Sequence, residues 1–248
     1  MKSYSYEESL NLFPVRDGFR IRGENMSRVE VFTDAAFAFA ITLLVFSNDG
    51  LPNTFAEFTL LLKDIPAFAI SFSQLVFFWY AHRVWSQRYG LEDIKTILIS
   101  CLLVFSVMTF VVPLKISFAG FLHWASNGYF PSPMPFTPED IKIFFTVFHI
   151  AFLSMCLIML WLYQHALSKR ISLMLNEFEL FETQTHKTSW VIMSFTSALT
   201  LLLTLVLPNE ISPFSGMLYG TLGVSMGLYN NKREKLKIAL NPNYKTHL

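Results

Sequence analysis

Charge is what this sequence has least of: Asp, Glu, Lys and Arg make up 15% of 248 residues, against about 25% in soluble domains. With so few charges and 53% hydrophobic residues, a disordered chain and a solvated coiled coil are excluded. The formal net charge is +1. No basic stripe lies outside the flanks of the apolar runs, which excludes nucleic-acid binding as a main role. Two cysteines do not make a disulfide scaffold. Cys101 and Cys156 both lie inside apolar runs and read as small core or lipid-facing residues. Ten glycines without a triplet period exclude collagen. Met1 to Ser27 is polar and charged, so no cleavable signal is expected before the first apolar run. What the chain does have is Phe, at 26 positions, and apolar blocks of about 20 residues, the length that crosses a hydrocarbon core. It reads as a polytopic membrane protein.

Six apolar segments stand out, at 29–48, 65–85, 95–122, 142–166, 188–208 and 211–230. They predict an all-α membrane protein with six transmembrane helices. With the N-terminus inside, only Lys63, Lys115 and Lys142 of the basic residues fall on the outer side, so both termini are expected in the cytoplasm. The chain then divides into a cytoplasmic N-terminal segment (1–27), a six-helix transmembrane domain (28–230) and a cytoplasmic basic tail (231–248). Pro131, Pro133, Pro135 and Pro138 break the connection after the third span, and Pro208 and Pro213 bracket a short turn before the last. The amphiphilic stretch from Lys169 to Lys187 reads as a helical extension or surface helix. Trp79, Tyr80, Trp85 and Trp190 suit interfacial aromatic belts. No soluble head is present, and no cluster of catalytic polar groups lies in the spans, so the chain is not expected to be an enzyme.

The first helix departs from the rule that a spanning helix avoids charge. Asp34 lies about one and a half turns inside it, where an unpaired carboxylate at depth costs up to ~2.5–3.5 kcal/mol. Arg28 is six residues away, about 240° round the helix, and His82 at the inner end of the second span is the better-placed partner. Phe39, Leu43 and Phe46 form an i, i+4, i+7 stripe flanked by Thr42, which ordinary helix packing would also produce. Two other patterns carry no chemistry. Gly223-Val-Ser225-Met-Gly227 has the spacing of a serine-hydrolase elbow, but Gly216, Gly220, Gly223 and Gly227 read as a small-residue face for close helix packing. His123, His149, His165 and His186 lack metal-ligand spacing, and no cofactor is expected.

Arg28-x-x-x-Phe32-Thr33-Asp34, followed by Ala35 to Val45, resembles the Arg-x-x-x-Phe-Ser-Asp signature of the transmembrane protein 175 family of potassium channels. Phe78-Trp79-Tyr80-Ala81-His82-Arg83 resembles that family's aromatic-His stretch, which makes Trp79 and His82 the second-helix partners of the signature. Leu102 to Pro113 is similar to its third helix. The resemblance implies a homotetramer in a lipid bilayer, with four first helices around a pore for potassium ions. It implies an apolar constriction at Phe39, Leu43 and Phe46, with Thr42 influencing selectivity. A single six-helix unit implies a plasma membrane. The chain carries Thr33 where the family has Ser, Phe39 where it has Ile or Leu, and Ser47-Asn48-Asp49 where an acidic residue often follows the apolar stretch. A ring of Phe39 side chains is bulkier than an aliphatic ring. The alternatives are therefore a proton-conducting or weakly selective channel of the same fold, in which Asp34 and His82 take part, and a non-conducting structural membrane protein.

Overall fold

The computed structural model describes residues 13–46, 52–132, 134, 135 and 137–240. Among the described residues a hairpin of two-residue strands comes first, β1 (Val15–Arg16) paired antiparallel with β2 (Phe19–Arg20), in the register Val15 to Arg20 and Arg16 to Phe19. Its turn is Asp17-Gly18, both at positive φ (49° and 78°), as a type I′ hairpin requires. Six helices follow: α1 (Arg28–Phe46), α2 (Phe55–Tyr89), α3 (Ile94–Ala125), α4 (Pro138–Ser168), α5 (Glu177–Val206) and α6 (Gly220–Leu240). A 3-10 segment, Ser212–Tyr219, leads into α6.

The expected six helices are present, and α2 to α5 are each long and apolar enough to cross a membrane. Helices α2, α3 and α4 overrun the expected apolar windows at both ends and α5 at its start, while the expected sixth segment, 211–230, divides between the 3-10 segment and α6. The 35 residues of α2 reach about 52 Å, against about 30 Å of hydrocarbon, so its charged ends project beyond the core. The amphiphilic stretch after Lys169 divides: 177–187 is the first part of α5 itself, started by a capping box in which Asn176 and Glu179 exchange side-chain-to-backbone bonds. An equivalent box of Thr137 and Asp140 starts α4 after the proline-rich connection.

The apolar core lies between α2, α3, α4 and α5, around Phe78, Trp85, Tyr89, Leu103, Met159, Tyr163 and Trp190. Two of the tryptophans expected at the membrane interfaces belong to it. Trp85 and Trp190 are buried, and Trp190 stacks on Phe78 at 5.8 Å. Tyr80 is exposed, as a belt residue should be. The 3-10 segment is held by Tyr219, whose hydroxyl meets His149 Nδ1 at 3.0 Å and Ser197 Oγ at 3.1 Å. Of the expected glycine face, Gly216 lies against Phe145 (3.3 Å from an added Cβ), whereas among the described residues a Cβ at Gly220, Gly223 or Gly227 would meet nothing within 4 Å. The other side of α6 is the docked one, through Arg233 to Thr185 (2.8 Å) and Lys237 to Glu182 (3.2 Å).

Candidate functional site

Helix α1 begins at an N-cap: Ser27 Oγ accepts from Glu30 N at 3.1 Å, the Ser-x-x-Glu arrangement that favours a helix start. From there the helix has two unlike faces. Glu30, Thr33, Phe37, Ala40 and Leu44 are buried against α2 and α3, following the i, i+3, i+7 spacing of one helix face. Arg28, Phe32, Ala35, Phe39 and Thr42 lie on the opposite face and are exposed. Phe39 is 54% exposed and Phe37, two residues away, 2%.

The signature residues divide between these faces. Thr33 is buried and donates its hydroxyl to Val29 O at 2.8 Å, so its polar group is satisfied within its own helix. Asp34 sits at the edge and accepts from Trp79 Nε1 of α2 at 2.8 Å. The guanidinium of Arg83 lies 5.4 Å above the same indole ring, within range of a cation–π contact. His82 does not take the place expected of it: its Nε2 meets Ser100 Oγ of α3 at 3.0 Å. Trp79 and His82 are three residues apart on one face of α2. The longer indole reaches across to α1, while the imidazole turns into the contact with α3. Among the described residues no bond joins Arg28 to Asp34.

Farther along α1, Thr42 is exposed, and its hydroxyl donates to Ala38 O at 3.0 Å. Leu43 is half-buried and packs partly on the core, so the expected stripe of 39, 43 and 46 is turned toward Thr42. The side chain of Phe46 lies outside the described residues, as do Ser47, Asn48 and Asp49.

Two charged anchors hold α1, and neither was expected from the sequence. At its start, the hairpin segment docks against α5 and the end of α2. Arg22 forks onto Glu179 of α5, Nη1 to Oε1 at 3.1 Å and Nη2 to Oε2 at 2.8 Å. Glu179, fully buried, also accepts from Arg20 N at 2.9 Å, and Arg22 Nε donates to Leu173 O at 3.1 Å. The hairpin passes so close to α2 that a Cβ on Gly23 would stand 2.6 Å from Ser86 O. Gly90, in the left-handed cap of α2 (φ 55°), faces the backbone of Arg22. The Asp17-Gly18 turn and the Asn176-x-x-Glu179 box are the sequence patterns that point here. Near the last turn of α1, Lys115 of α3 pairs with Asp64 of α2 at 2.9 Å and donates to Leu44 O at 3.3 Å. Lys115, expected among the outer basic residues, lies inside α3 and is 6% exposed; its partner Asp64 was not foreseen.

Between α2 and α3, Asp93 caps α3 and meets His165 Nε2 of α4 at 2.8 Å. Burial alone would push this carboxyl up, but bonds from the Thr96 amide and hydroxyl and from His165 hold it down at about 2.

Residues 28–113 match the model of the family described as "Endosomal/lysosomal potassium channel TMEM175". A potassium channel of Marivirga tractuosa is 29% identical over 230 residues, spanning 88% of this chain and 92% of its own length. Among solved structures, the fold is similar to the crystal structure of a threonine-to-alanine variant of the potassium channel MtTMEM175 in complex with a nanobody–MBP fusion protein. The TM-score is 0.77 at 27% identity, over 89% of this chain and 99% of that one. These are the relatives that the signature in α1 points to, and they are ion channels, not enzymes.

Proposed function

We propose that this chain, a member of the transmembrane protein 175 family through residues 28–113, is a multi-pass potassium channel whose pore is lined by α1. The observation that carries the reading is the uncovered face of that helix. Phe32, Phe39 and Thr42 are exposed along one side, while Thr33, Phe37, Ala40 and Leu44 fix the other to α2 and α3. Four copies with this face at a common axis make a homotetramer with the constriction at Phe39, Leu43 and Phe46, a ring that closes by dewetting. Thr42 is the residue placed to touch the ion. Its hydroxyl hydrogen goes to Ala38 O, which leaves oxygen lone pairs on the exposed side to replace part of a hydration shell. Of the signature residues, Thr33 and Asp34, with Trp79, set the rotation of α1 about its own axis; Arg28 and Phe32 lie on its uncovered side, and His82 braces α2 against α3. Residues 28–230 form the channel domain, between an N-terminal segment and a basic tail that face the cytoplasm of a plasma membrane.

The test is flux through the purified chain in liposomes. A K+ gradient should drive flux, and Thr42→Val, which keeps shape but removes the oxygen, should lower K+ preference over Na+ under bi-ionic conditions. Proton flux without K+ flux would favour the proton-conducting alternative. No flux of either ion from intact tetramers would favour a structural role.

A further inference from the structure

We propose that Lys115 is a positioning residue for ion passage. Its ammonium, neutralised by Asp64, clamps the backbone of α1 at Leu44 and so fixes where Thr42 and Leu43 stand. The inference rests on the reading of α1 as the pore helix. Three helices meet at this point and each supplies one group: Asp64 from α2, Lys115 from α3 and the Leu44 carbonyl from α1. A lysine near the end of a span ordinarily extends along the helix to bring its charge to the interface. This one is turned inward and covered, its side chain 7% exposed and that of Asp64 17%. A covered charge of this kind persists only where a counter-charge and further hydrogen bonds satisfy it, and here one of those bonds goes to the backbone of a third helix. A cation beside the carbonyl end of a helix is also favoured by the helix dipole. Pro66 in α2 and Pro113 in α3 each lie two residues from the pair, interrupting the helical hydrogen-bond ladder next to it. The neighbouring contacts of α1, through Ala40 and Leu44, are apolar and undirected. The Lys115 bond is a directional contact at this end, as the Trp79 bond to Asp34 is nearer the start. Leu44 is one residue from Leu43 and two from Thr42, so a shift of this turn moves both.

Lys115→Met keeps the length of the side chain and removes both bonds, whereas Lys115→Arg keeps charge and donors. In the full-length protein in nanodiscs, hydrogen–deuterium exchange over residues 38–46 should rise about ten-fold in Lys115→Met, the loss of one hydrogen bond to a charged group, and return in Lys115→Arg. Exchange over 28–36 should stay as in the wild type. In liposomes the same variant should shift the K+/Na+ reversal potential, and Lys115→Arg should restore it. If Lys115→Met does not accumulate as folded protein, Asp64→Asn serves in the same measurements, with the same direction expected. Unchanged exchange in the last turn of α1 overturns the clamp, whether or not the wild type conducts. Faster exchange with an unchanged reversal potential overturns its role in ion passage. Absent K+ flux in the wild type overturns the channel reading separately.

Discussion

Removing Arg22 should cost the fold more than removing it together with its partner. Glu179 is fully buried and takes two of its hydrogen bonds from the Arg22 guanidinium, at 2.8 and 3.1 Å. Breaking a buried pair from one side typically costs about 3–5 kcal/mol, because the remaining charge stays covered. Here Glu179 keeps the Arg20 amide at 2.9 Å, the Arg20 guanidinium at 3.6 Å and the Asn176 amide at 3.1 Å. The cost of Arg22→Met therefore belongs at the lower end, about 3 kcal/mol. For a chain of this size that corresponds to a fall in melting temperature of about 6–12 °C. Glu179→Gln keeps an acceptor for the α5 cap and removes the charge, so adding it to Arg22→Met should recover about half the loss. The assay is thermal unfolding of the detergent-solubilised protein for wild type, both single variants and the double variant, read as a double-mutant cycle. A coupling within about 0.5 kcal/mol of zero, the range seen for independent sites, would refute the claim that this pair fastens the hairpin to α5.

Phe39→Ala should raise basal cation flux in liposomes by removing the bulk of the constriction, while Phe37→Ala, on the buried face, should lower stability by about 3–5 kcal/mol and leave flux per folded channel unchanged. Equal flux from wild type and Phe39→Ala, with both assembled, would move the constriction elsewhere. Asp93 supplies a pH dependence. Its carboxyl is depressed to about 2, so its contribution is complete above the ordinary carboxylate pKa of about 4 and is lost as pH falls through about 2. Discounted for its partial exposure to solvent, the contribution is about 1 kcal/mol. Melting curves between pH 5 and 2 should show a loss in the wild type that Asp93→Asn, which keeps an N-cap oxygen, does not show.

The two faces of α1 were legible from spacing: the 3.6-residue period puts Phe37 about 200° from Phe39, and the structure buries the first and exposes the second. The stripe read through Phe39, Leu43 and Phe46 is turned toward Thr42, because Leu43 packs partly on the core. The partners of charged groups were less legible, because a partner depends on side-chain reach as well as on residue spacing. Trp79 and His82 share a face of α2, and only the length of the indole decides that Trp79 bonds Asp34. Lys115 read only as an outer basic residue because hydropathy counts charges one at a time, and Asp64 lies 51 positions away in another helix. Trp85 and Trp190 have the composition of belt residues and the environment of core residues. That difference arises from the neighbours they pack against.

The hairpin also has a consequence for the order in which the molecule is made. Residues 13–23 leave the ribosome before α1 to α6 do, yet Arg22 closes on Glu179, 157 positions later. This segment must therefore wait, with Arg20 and Arg22, the two arginines that meet Glu179, hydrated, until four helices have entered the bilayer and the fifth has begun. Its docking reports the arrival of α5 and is among the last long-range contacts to form. A nascent chain stopped before residue 179 holds α1 without this anchor, and only a chain long enough to contain α5 can fasten the start of α1 in place.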